Sequence, residues 1–449
     1  MSPTGILERR PARAAAVALV TGAALITGLA GCTAGPDPPA PPAAATQNTR
    51  GLVLSSGFSD AGQLGRPAPT SIKTAFGPVS GTSGMTGRTA AGSLIGAARL
   101  AGGDRHSLAV LYDGRVYAWG ANEDGQLGDG TRNFSTVPVP VRAPDGQPGV
   151  LTKVADVAAN SNVSLALRQD GTVVAWGRQD RGQRGNAGTS ADPLLPSVVL
   201  DPTGAQPLRD VKAIAADGGT ELVLTVDGRL YGWGDNTYGQ IGSRAGRKAA
   251  LPVLVTDATG APISRVRAIA LGGQHAVAVL DDGRVLAWGR NDTHQLGNGT
   301  RTGHSAPTFV LGPDGKHPLT GVTAVSAAEK HTLGLLSDGT VVAWGRNTDG
   351  QLGDGTTRRR AFPVRVHGLG DRPRLTSVRE VVAGESYSVA LLGNGTIVSW
   401  GANGRGQLAS GDRIDRWLPG AVTLETDLPA RPRVTAIGAG RRHLLIALE

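Results

Sequence analysis

The sequence predicts an all-β protein, a seven-bladed β-propeller of four-stranded antiparallel blades that its own N- and C-terminal segments close into a ring. Three observations predict this fold. A Trp-Gly pair recurs six times at intervals of 55 to 57 residues, an Asp-Gly or Asn-Gly pair precedes each one at a fixed distance, and the two chain ends carry complementary parts of a further copy. A short unit repeated at so even a pitch buries its apolar face by stacking on its neighbours. The six tryptophans are Trp119, Trp176, Trp233, Trp288, Trp344 and Trp400.

One copy, from Val266 to Thr300, shows the elements of the unit in order. Its first two apolar runs, RAIALG and HAVAVL, are short and partly β-branched, and a third run, RVLAWG, alternates and ends at the tryptophan. A fourth, weaker run lies near Pro307 to Val310. Runs of this length and composition are typical of strands. Four strands joined in sequence make the antiparallel blade of a propeller.

The second and third strands of each unit are joined by the Asp-Gly pair, which predicts a type I′ hairpin turn with positive φ at both central residues. Because the pair returns in the same register in every complete copy, the hairpin belongs to the unit. The pairs are Asp113-Gly114, Asp170-Gly171, Asp227-Gly228, Asp282-Gly283, Asp338-Gly339 and Asn394-Gly395.

The two ends of the chain set the number of blades. The segment from Val434 to Glu449 matches strands one and two of the unit and stops where the turn is due. The segment from Gly51 to Gly65 matches strand three and the loop after it, with Gly51 in the position of the turn glycine. We expect the two segments to pair in one split blade, the seventh, which leaves no sheet edge open.

Two motifs at fixed offsets from the tryptophan resemble the repeats of the regulator of chromosome condensation family. The pattern W-G-x-N-x-x-G-Q-L-G-D-G-T occurs from Trp119 to Thr131 and from Trp344 to Thr356, and G-x-x-H-(S/T)-L-x-x-L runs from Gly103 to Leu111. The resemblance covers residues 51–449 and implies the same propeller. The founder of that family is a nucleotide-exchange factor for a nuclear GTPase and a chromatin binder. Neither role is expected here, because fold alone does not carry function.

The first 32 residues are predicted to be a lipoprotein signal peptide. Three arginines precede an apolar run over residues 14–30, which is short for a membrane span. The run ends in Leu29-Ala30-Gly31-Cys32, which resembles a bacterial lipobox, and Cys32 is the only cysteine in the chain. We therefore expect Cys32 to be lipidated and to anchor the exported protein to the outer face of the cell membrane, with secretion as the alternative.

Residues 33–50 form a Pro/Ala-rich linker, a composition that gives a semi-extended spacer. The propeller domain is expected to occupy residues 51–449. The chain carries a formal net charge of +9, which favours acidic partners. Export makes chromosomal DNA an unsuitable partner, so we expect no nucleic acid. The expected partner is another protein, with an acidic one or an anionic envelope polymer suiting the charge, and we expect the propeller to be a monomer.

Most of the repeated polar and aromatic residues are interpreted as scaffold. Each tryptophan is expected to pack between neighbouring blades with its N–H on a partner. The glycines of G-Q-L-G are expected to supply positive φ in a tight turn, and the asparagine that follows Trp-Gly is expected to form an Asx-turn.

Four histidines occupy one repeat position and are interpreted as hydrogen-bonded residues at the start of a strand. The other copies have Val163, Thr220 and Tyr387 at that position, which a ring of metal ligands would not tolerate. We expect no metal, no cofactor and no catalytic residues. The four histidines are His106, His275, His331 and His443.

The candidate binding residues lie in loops that an up-and-down blade places on one face, the loops after strands one and three. The two residues before the histidine position are polar and differ from blade to blade, whereas a scaffold role would keep them constant. We expect them to surround the mouth of the central channel and to bind the partner. The candidates there are Asp104, Arg105, Asn162, Gln274, Glu329, Lys330, Glu385, Arg441 and Arg442.

A second set of candidates lies just past the D-G-T of the outer loops on the same face. A rim of guanidinium groups would steer an acidic partner toward this face, and an ordinary solvated rim is the alternative. The arginines proposed for binding are Arg132, Arg301, Arg358, Arg359 and Arg360, with Arg247 and Arg413 in related positions.

These observations predict a membrane-tethered, extracytoplasmic scaffold for protein recognition and not an enzyme. One alternative is an inhibitor of a secreted enzyme, since a secreted β-lactamase-inhibitory protein is similar in architecture. Others are a protein that binds or degrades cell-wall polysaccharide and a passive structural protein. Carboxylates clustered with histidine in a deep channel would favour the enzyme, and a flat polar rim with arginines would favour a protein partner.

Overall fold

The computed structural model describes residues 51–67, 71–81, 92–188, 194–242, 246–425 and 433–449. The predicted signal peptide (1–32), the linker (33–50) and Cys32 lie outside the described residues. Strands β1–β28, numbered in chain order, and one 3-10 turn at Pro144–Gly146 make up the regular structure within those ranges. No helix in them is long and apolar enough to cross a membrane.

The strands form seven four-stranded antiparallel sheets. Six of the sheets use consecutive strands, so each is a meander in which the inner strand comes first and the outer strand last. Their bounds are as follows: blade 1, Ala97–Gly102, His106–Leu111, Val116–Gly120 and Ser135–Pro140; blade 2, Val154–Ala159, Val163–Arg168, Val173–Gly177 and Ser197–Val198; blade 3, Val211–Asp217, Thr220–Thr225, Leu230–Asp235 and Lys248–Leu254; blade 4, Val266–Gly272, His275–Leu280, Val285–Gly289 and His304–Phe309; blade 5, Val322–Ala328, His331–Leu336, Val341–Gly345 and Arg360–Arg365; blade 6, Val378–Ala383, Tyr387–Leu392, Ile397–Gly401 and Arg416–Ala421.

The seventh sheet is the split blade that the sequence predicts, here called the closing blade. Its order is β2-β1-β28-β27, with β1 (Leu52–Ser59) and β2 (Ser71–Pro78) from one end of the domain and β27 (Val434–Ala439) and β28 (His443–Leu448) from the other. The Gly51 amide donates to the Leu448 carbonyl at 2.5 Å, just as Gly395 donates to Leu392 at 2.9 Å in blade 6. The prediction of a seven-bladed ring closed by its ends is confirmed.

The core lies between blades, because each sheet is covered on both faces by its neighbours. The third strand of blade 1 shows this, since all five of its residues are buried. Strands buried on both faces read as continuous apolar runs, which is why strands two and three of every copy stand out in the sequence. Each interface between blades holds its own apolar cluster, and one blade's turn is bonded to the next blade's inner strand.

The hairpin turn differs from the predicted type I′. Gly114 has φ of 80°, but Asp113 does not have positive φ, and the Gly114 amide donates to the Leu111 carbonyl at 2.9 Å. This is a type I turn followed by a left-handed glycine. Aspartate is used here because its carboxylate accepts the Arg115 amide at 3.0 Å, and the Gly114 carbonyl accepts Val154 N–H of the next blade at 3.1 Å.

The tryptophans are scaffold residues, as predicted. Trp119 is 0% exposed, and its Nε1 donates to the backbone carbonyl of Gln63 in the preceding blade at 2.9 Å. Ser107 donates to the same carbonyl at 2.8 Å. The backbone carbonyl of the glutamine in G-Q-L-G therefore accepts hydrogen bonds from the next blade, a role that the sequence analysis missed. We call this contact the joint between two blades. The same indole bond joins Trp176 to Gln126, Trp233 to Gln183, Trp288 to Gln240, Trp344 to Gln295 and Trp400 to Gln351.

The histidines continue this network between blades. The Nε2 atom of His106 lies 2.9 Å from the Ser164 hydroxyl, whose hydrogen is directed to the Gln126 carbonyl. Since a hydroxyl has only one hydrogen, Nε2 carries the proton and donates to the serine. Burial lowers the pKa of His106 and His331 to about 3 and of His275 and His443 to about 4. The prediction of hydrogen-bonded histidines at strand starts is confirmed.

The repeated asparagine does not form the predicted Asx-turn. Asn122 Oδ1 accepts the amide of Leu127, five residues later, at 2.9 Å. Its Nδ2 donates across the loop to the carbonyls of Thr131 and Asn133 at 3.0 Å each. The asparagine thus holds together a loop much longer than an Asx-turn in the five blades that carry it, on the same face as the loop after strand one.

Candidate functional site

A cavity of about 350 Å³ lies at the mouth of the central channel. Each of the seven blades contributes to its wall at least one of the two residues that precede the histidine position. The inner strands end there at the same level, because all seven copies have the same length between strand one and strand two. The variable pairs of the sequence are therefore brought together around one opening, which we call the channel mouth.

Five predicted binding residues line this mouth: Asp104, Gln274, Glu329, Glu385 and Arg441. Arg441 joins two of them, with N–O distances of 2.8 Å to Glu385 and 3.3 Å to Asp104. Arg442 also pairs with Glu385, at 3.1 Å. Burial raises the pKa of Glu385, but its bonds to the two arginines outweigh burial and leave that pKa below its usual value.

The other predicted residues of the mouth tie the inner loops to the outer loops. Arg105 pairs with Asp60 at 3.2 Å and with Glu123 at 3.1 Å, and both partners belong to loops after a third strand. These contacts place the two kinds of loop on one face, as predicted. The remaining members do the same: Asn162 donates to Asp124 at 2.5 Å and Lys330 to Asp292 at 3.3 Å.

Asp217 is a residue of the mouth that the sequence analysis missed. Burial raises its pKa to about 8, and the charges of Asp104 and Glu329 add to the rise. Asp217 stands where three of the four copies with histidine have glycine and the fourth has Ala328. At Gly272 a Cβ atom would lie 2.2 Å from the ring of His275, whereas blade 3 has the smaller Thr220 at the histidine position. Aligning the copies at this position would have revealed the exchange.

A second charged layer lies on the inner strands, at the third residue of each. Arg99, Asp156 and Glu380 share this position in blades 1, 2 and 6, and alanine occupies it in the others. Burial raises the pKa of Glu380 to about 7, although Arg379 and Arg99 oppose the rise. Burial also raises the pKa of Asp156, again against the charge of Arg99. The channel therefore carries acidic groups at two levels.

The predicted arginine rim divides into two kinds of residue. Arg132 donates to the Glu123 carbonyl and Arg301 to the Asp292 carbonyl, the latter at 3.0 Å, so both brace their own loops. Arg360 is paired with Asp354. In contrast, Arg358 and Arg359 are exposed and lie beside a separate cavity of about 340 Å³. Exposed arginines that brace a loop remain available to a partner, but part of their donor capacity is used.

The mouth lacks the histidine that would accompany its carboxylates in an acid-base site. All four repeat histidines are buried in the joints between blades. Among the residues that the structure describes, no group of three or more His, Cys, Asp or Glu is placed to hold a metal ion. What the mouth offers is a set of carboxylates and guanidinium groups, several of which are paired between blades.

The geometry defines a class of protein: a closed seven-bladed propeller whose repeated Gln and Trp residues, with histidine in four blades, support loops of variable polar residues on one face. The family model of the RCC1-like domain matches residues 53–446. The chain belongs to the RCC1-like family.

Curated relatives include a receptor and a much larger ligase. The chain is 29% identical over 375 residues to the ultraviolet-B receptor UVR8 of Arabidopsis thaliana, covering 82% of this chain and 77% of the receptor. It is 33% identical over 288 residues to the E3 ubiquitin-protein ligase HERC2 of Mus musculus, covering 64% of this chain but only 6% of the ligase. Protein pim1 of Schizosaccharomyces pombe is 28% identical over 384 residues, with 79% and 67% of the two chains covered.

Solved structures show the same fold. Human WBSCR16 superposes with a TM-score of 0.70 at 22% identity, covering 89% of this chain and 99% of that one. Prp20p of Saccharomyces cerevisiae superposes with a TM-score of 0.69 at 20% identity, covering 90% and 92%. At these identities the likeness concerns the fold alone.

Proposed function

We propose that the protein is a non-catalytic recognition module, a membrane-tethered extracytoplasmic propeller that binds another protein through the face bearing the channel mouth and the arginine rim. The tether would be lipidated Cys32, with residues 33–50 as the spacer. Tethering and export rest on the sequence pattern of the first 50 residues. The recognition role rests on the face itself.

One observation carries the proposal: variable polar residues stand at constant positions on an invariant scaffold. The Trp–Gln joint is repeated at six interfaces, whereas the loop pairs at the mouth differ in all seven blades. Residues that only supported the ring would be as constant as the joint. A binding surface is the usual reason for such variation, since loops on a rigid scaffold carry recognition.

The relatives support binding of proteins in general terms. The structure of Prp20p is described together with its binding to Gsp1p and histones, and UVR8 is named as a receptor. Those particular partners are not transferred, because the predicted export would keep the chain from them. An inhibitor of a secreted enzyme is a special case of this proposal, in which the recognised protein is the enzyme.

Polysaccharide turnover is the second candidate, favoured by one observation. The mouth combines Asp217, whose pKa is raised to about 8, with Glu385, whose pKa is lowered. Two carboxyl groups held in different protonation states are what glycoside hydrolysis requires. Against it, Glu385 is engaged by two arginines, which leaves little of its charge for a substrate.

Affinity capture tests the proposal. The chain would be immobilised and exposed to the solubilised envelope and the secreted fraction of the producing organism, at low and at moderate salt. We expect one stoichiometric protein to be retained, and we expect retention to weaken with salt because the face is charged. Charge reversal of Glu385 and Arg441 together should reduce capture, since both line the mouth.

A matched control carries the charge reversals Asp371→Lys and Arg372→Glu, at two exposed residues of the opposite face in the loop after the outer strand of blade 5. Its capture should equal that of the parent chain. Retention of glycan in place of protein would favour the second candidate, and retention of nothing would overturn the recognition role.

A further inference from the structure

A second cavity on the same face lies between the outer loops of blades 4 and 5 and is separate from the channel mouth. Its volume is about 340 Å³. Thr293 comes from blade 4, and the rest of the wall comes from the outer loop of blade 5. The residues that line it are Thr293, Arg346, Thr348, Thr357, Arg358 and Arg359, so every lining residue is a threonine or an arginine, although their methyl and methylene groups form most of the exposed wall. We call it the arginine-threonine pocket.

The guanidinium groups of this pocket are not equally neutralised. Arg346 donates to the Thr348 hydroxyl at 2.8 Å and pairs with Asp349 at 3.3 Å, so its position is fixed and its charge is shared. The nearby Asp354 is paired with Arg360. Within the described part of the chain, no hydrogen-bond or ion-pair partner lies against the guanidinium of Arg358 or Arg359. The pocket therefore keeps two positive charges that the protein itself does not compensate.

We propose that the arginine-threonine pocket is an oxyanion-binding site that takes the carboxylates of an acidic segment of the protein partner. The inference rests on the recognition function proposed above and assigns one chemical class to its ligand. Guanidinium groups bind carboxylates through two parallel N–H···O bonds, which gives geometry as well as charge. The Thr357 hydroxyl adds a donor without adding charge, whereas the hydroxyls of Thr293 and Thr348 already donate to Gln295 and Asp349.

The size of the pocket favours an acidic protein segment over a free inorganic anion. A cavity of about 340 Å³ lies in the range of sites that hold ligands of several side chains' volume. A single tetrahedral anion would contact only part of such a wall. The exposed positions of Arg358 and Arg359 at the rim also suit a ligand that arrives as part of a larger surface.

The test uses the purified full-length chain and a fluorescein-labelled hexaglutamate peptide, with binding followed by fluorescence anisotropy at low salt. Reversing both free charges, Arg358→Glu with Arg359→Glu, should weaken binding at least about tenfold. The matched control is Arg372→Glu with Arg374→Glu, the same change of net charge in exposed residues of the opposite face. It should stay within about twofold of the parent, because bulk charge acts weakly beyond a Debye length.

Two further variants distinguish a site with defined hydrogen-bond geometry from a surface that attracts the peptide by charge alone. Arg358→Lys with Arg359→Lys keeps the charge but loses the planar fork, and it should weaken binding about fivefold. Thr357→Val keeps size and charge and should weaken it about twofold, since one hydrogen bond to a charged group is lost. Any of three results would overturn the site. These are equal losses in the reversal variant and its control, unchanged binding in the lysine variant, and no binding by the parent.

Inorganic phosphate as a competitor tests the source of the oxyanion. We expect it to displace the peptide only at concentrations where sodium chloride of equal ionic strength does the same. Displacement well below that level would overturn the assignment to an acidic segment in favour of a free anion. Affinity capture with the reversal variant separates the two proposals: a partner retained as well as by the parent would overturn the oxyanion site and leave the recognition function standing.

Discussion

At the scale of single residues, one residue type serves different purposes at different positions of this propeller, and the neighbouring residues determine its purpose. Arg360 is held by Asp354, whereas Arg358, two positions earlier, has no such partner among the described residues. His275 is sealed in a joint between blades with its Nε2 on Thr332 at 2.9 Å, whereas His317 is exposed and pairs with Asp314. Residue type alone therefore assigns neither a binding arginine nor a structural histidine.

The buried histidines predict that the fold loses stability in acid. Their pKa values of about 3 to 4 in the folded protein lie below the value of 6.5 for an unfolded chain. Below pH 6.5 the unfolded chain binds more protons, so each histidine lowers the free energy of unfolding by about 1.4 kcal/mol per pH unit as the pH falls toward 4. Above pH 6.5 the histidines are neutral in both the folded and the unfolded chain, so they cause no loss of stability there.

Replacing one histidine isolates this effect. His275→Gln keeps a donor for Thr332 and has no proton to bind, so its unfolding free energy should depend less on pH, by about 1.4 kcal/mol per unit between pH 6 and 4.5. Urea denaturation of the variant and the parent across pH 4.5 to 7.5 measures the difference. Acidic groups with raised pKa, such as Asp217, have the opposite pH dependence but are common to both proteins. Parallel curves for the two proteins would contradict the prediction.

At the scale of elements, the hairpin turn joins one blade to the next. The left-handed glycine of each turn shapes its own hairpin, and in most blades its carbonyl accepts an N–H from the next inner strand; Gly283 accepts from Val322 at 3.1 Å. The residue before that inner strand has positive φ as well, 57° at Lys153 and 58° at Ser377. The turn and the start of the next strand are thus two strained segments that support each other.

Two of these glycines give a matched test of the turn. A Cβ at Gly339 would meet nothing closer than the Ser377 amide nitrogen at 3.4 Å, whereas at Gly283 it would lie 2.9 Å from the nitrogen of Gly321. Both have positive φ, so Gly339→Ala should cost about 1 kcal/mol of unfolding free energy. Gly283→Ala should cost more, because the backbone must also move.

Urea denaturation of the two variants measures both costs. Gly404→Ala is the control, since that glycine lacks positive φ and a Cβ there would meet nothing within 4 Å. It should lie within about 0.5 kcal/mol of the parent. A smaller effect at Gly283 than at Gly339 would show that close approach between blades does not limit this position.

At the scale of the whole molecule, the ring is closed by a turn whose residues come from both ends of the domain. Leu448, Glu449 and Gly51 occupy the places of Leu392, Gly393 and Gly395, and the register of Asn394 falls on Arg50, which lies outside the described residues. The split blade joins both ends of the domain into one sheet. Its two outer strands, β1 and β2, are held to β28 and β27 by hydrogen bonds and packing, and no covalent bond links β28 to β1.

A circular permutant tests this closure. Residues 51–449 would be joined by a single asparagine between Glu449 and Gly51 and opened between Gly370 and Asp371, in an exposed loop. The asparagine completes the turn, so we expect the same fold and a melting temperature equal to or above that of the linear domain. A second permutant joined without the asparagine should melt lower, because the turn is one residue short. The reverse order in thermal unfolding would contradict the proposed register.

The fold was predictable because its determinants are local and repeated. Spacing of the tryptophans, the glycine turns and the complementary ends specify strand order and blade number without reference to distant residues. The predicted type of the hairpin turn was wrong, because φ at Asp113 depends on the bond from its own carboxylate to the Arg115 amide and on the bond of the turn to the next blade. The role of the glutamine carbonyl was missed, since a backbone acceptor leaves no trace in residue type.

The site was predictable only in part, and the reason is electrostatic. The sequence by itself determined which positions vary and, through blade topology, that they share one face. Only the tertiary structure decided that Arg132 and Arg301 brace loop carbonyls, that Asp217 enters the channel mouth, and that Arg358 and Arg359 keep their charge beside a pocket. How far the charge of a side chain is compensated depends on the partners within a few ångströms, and residues from different blades meet only when the ring is closed.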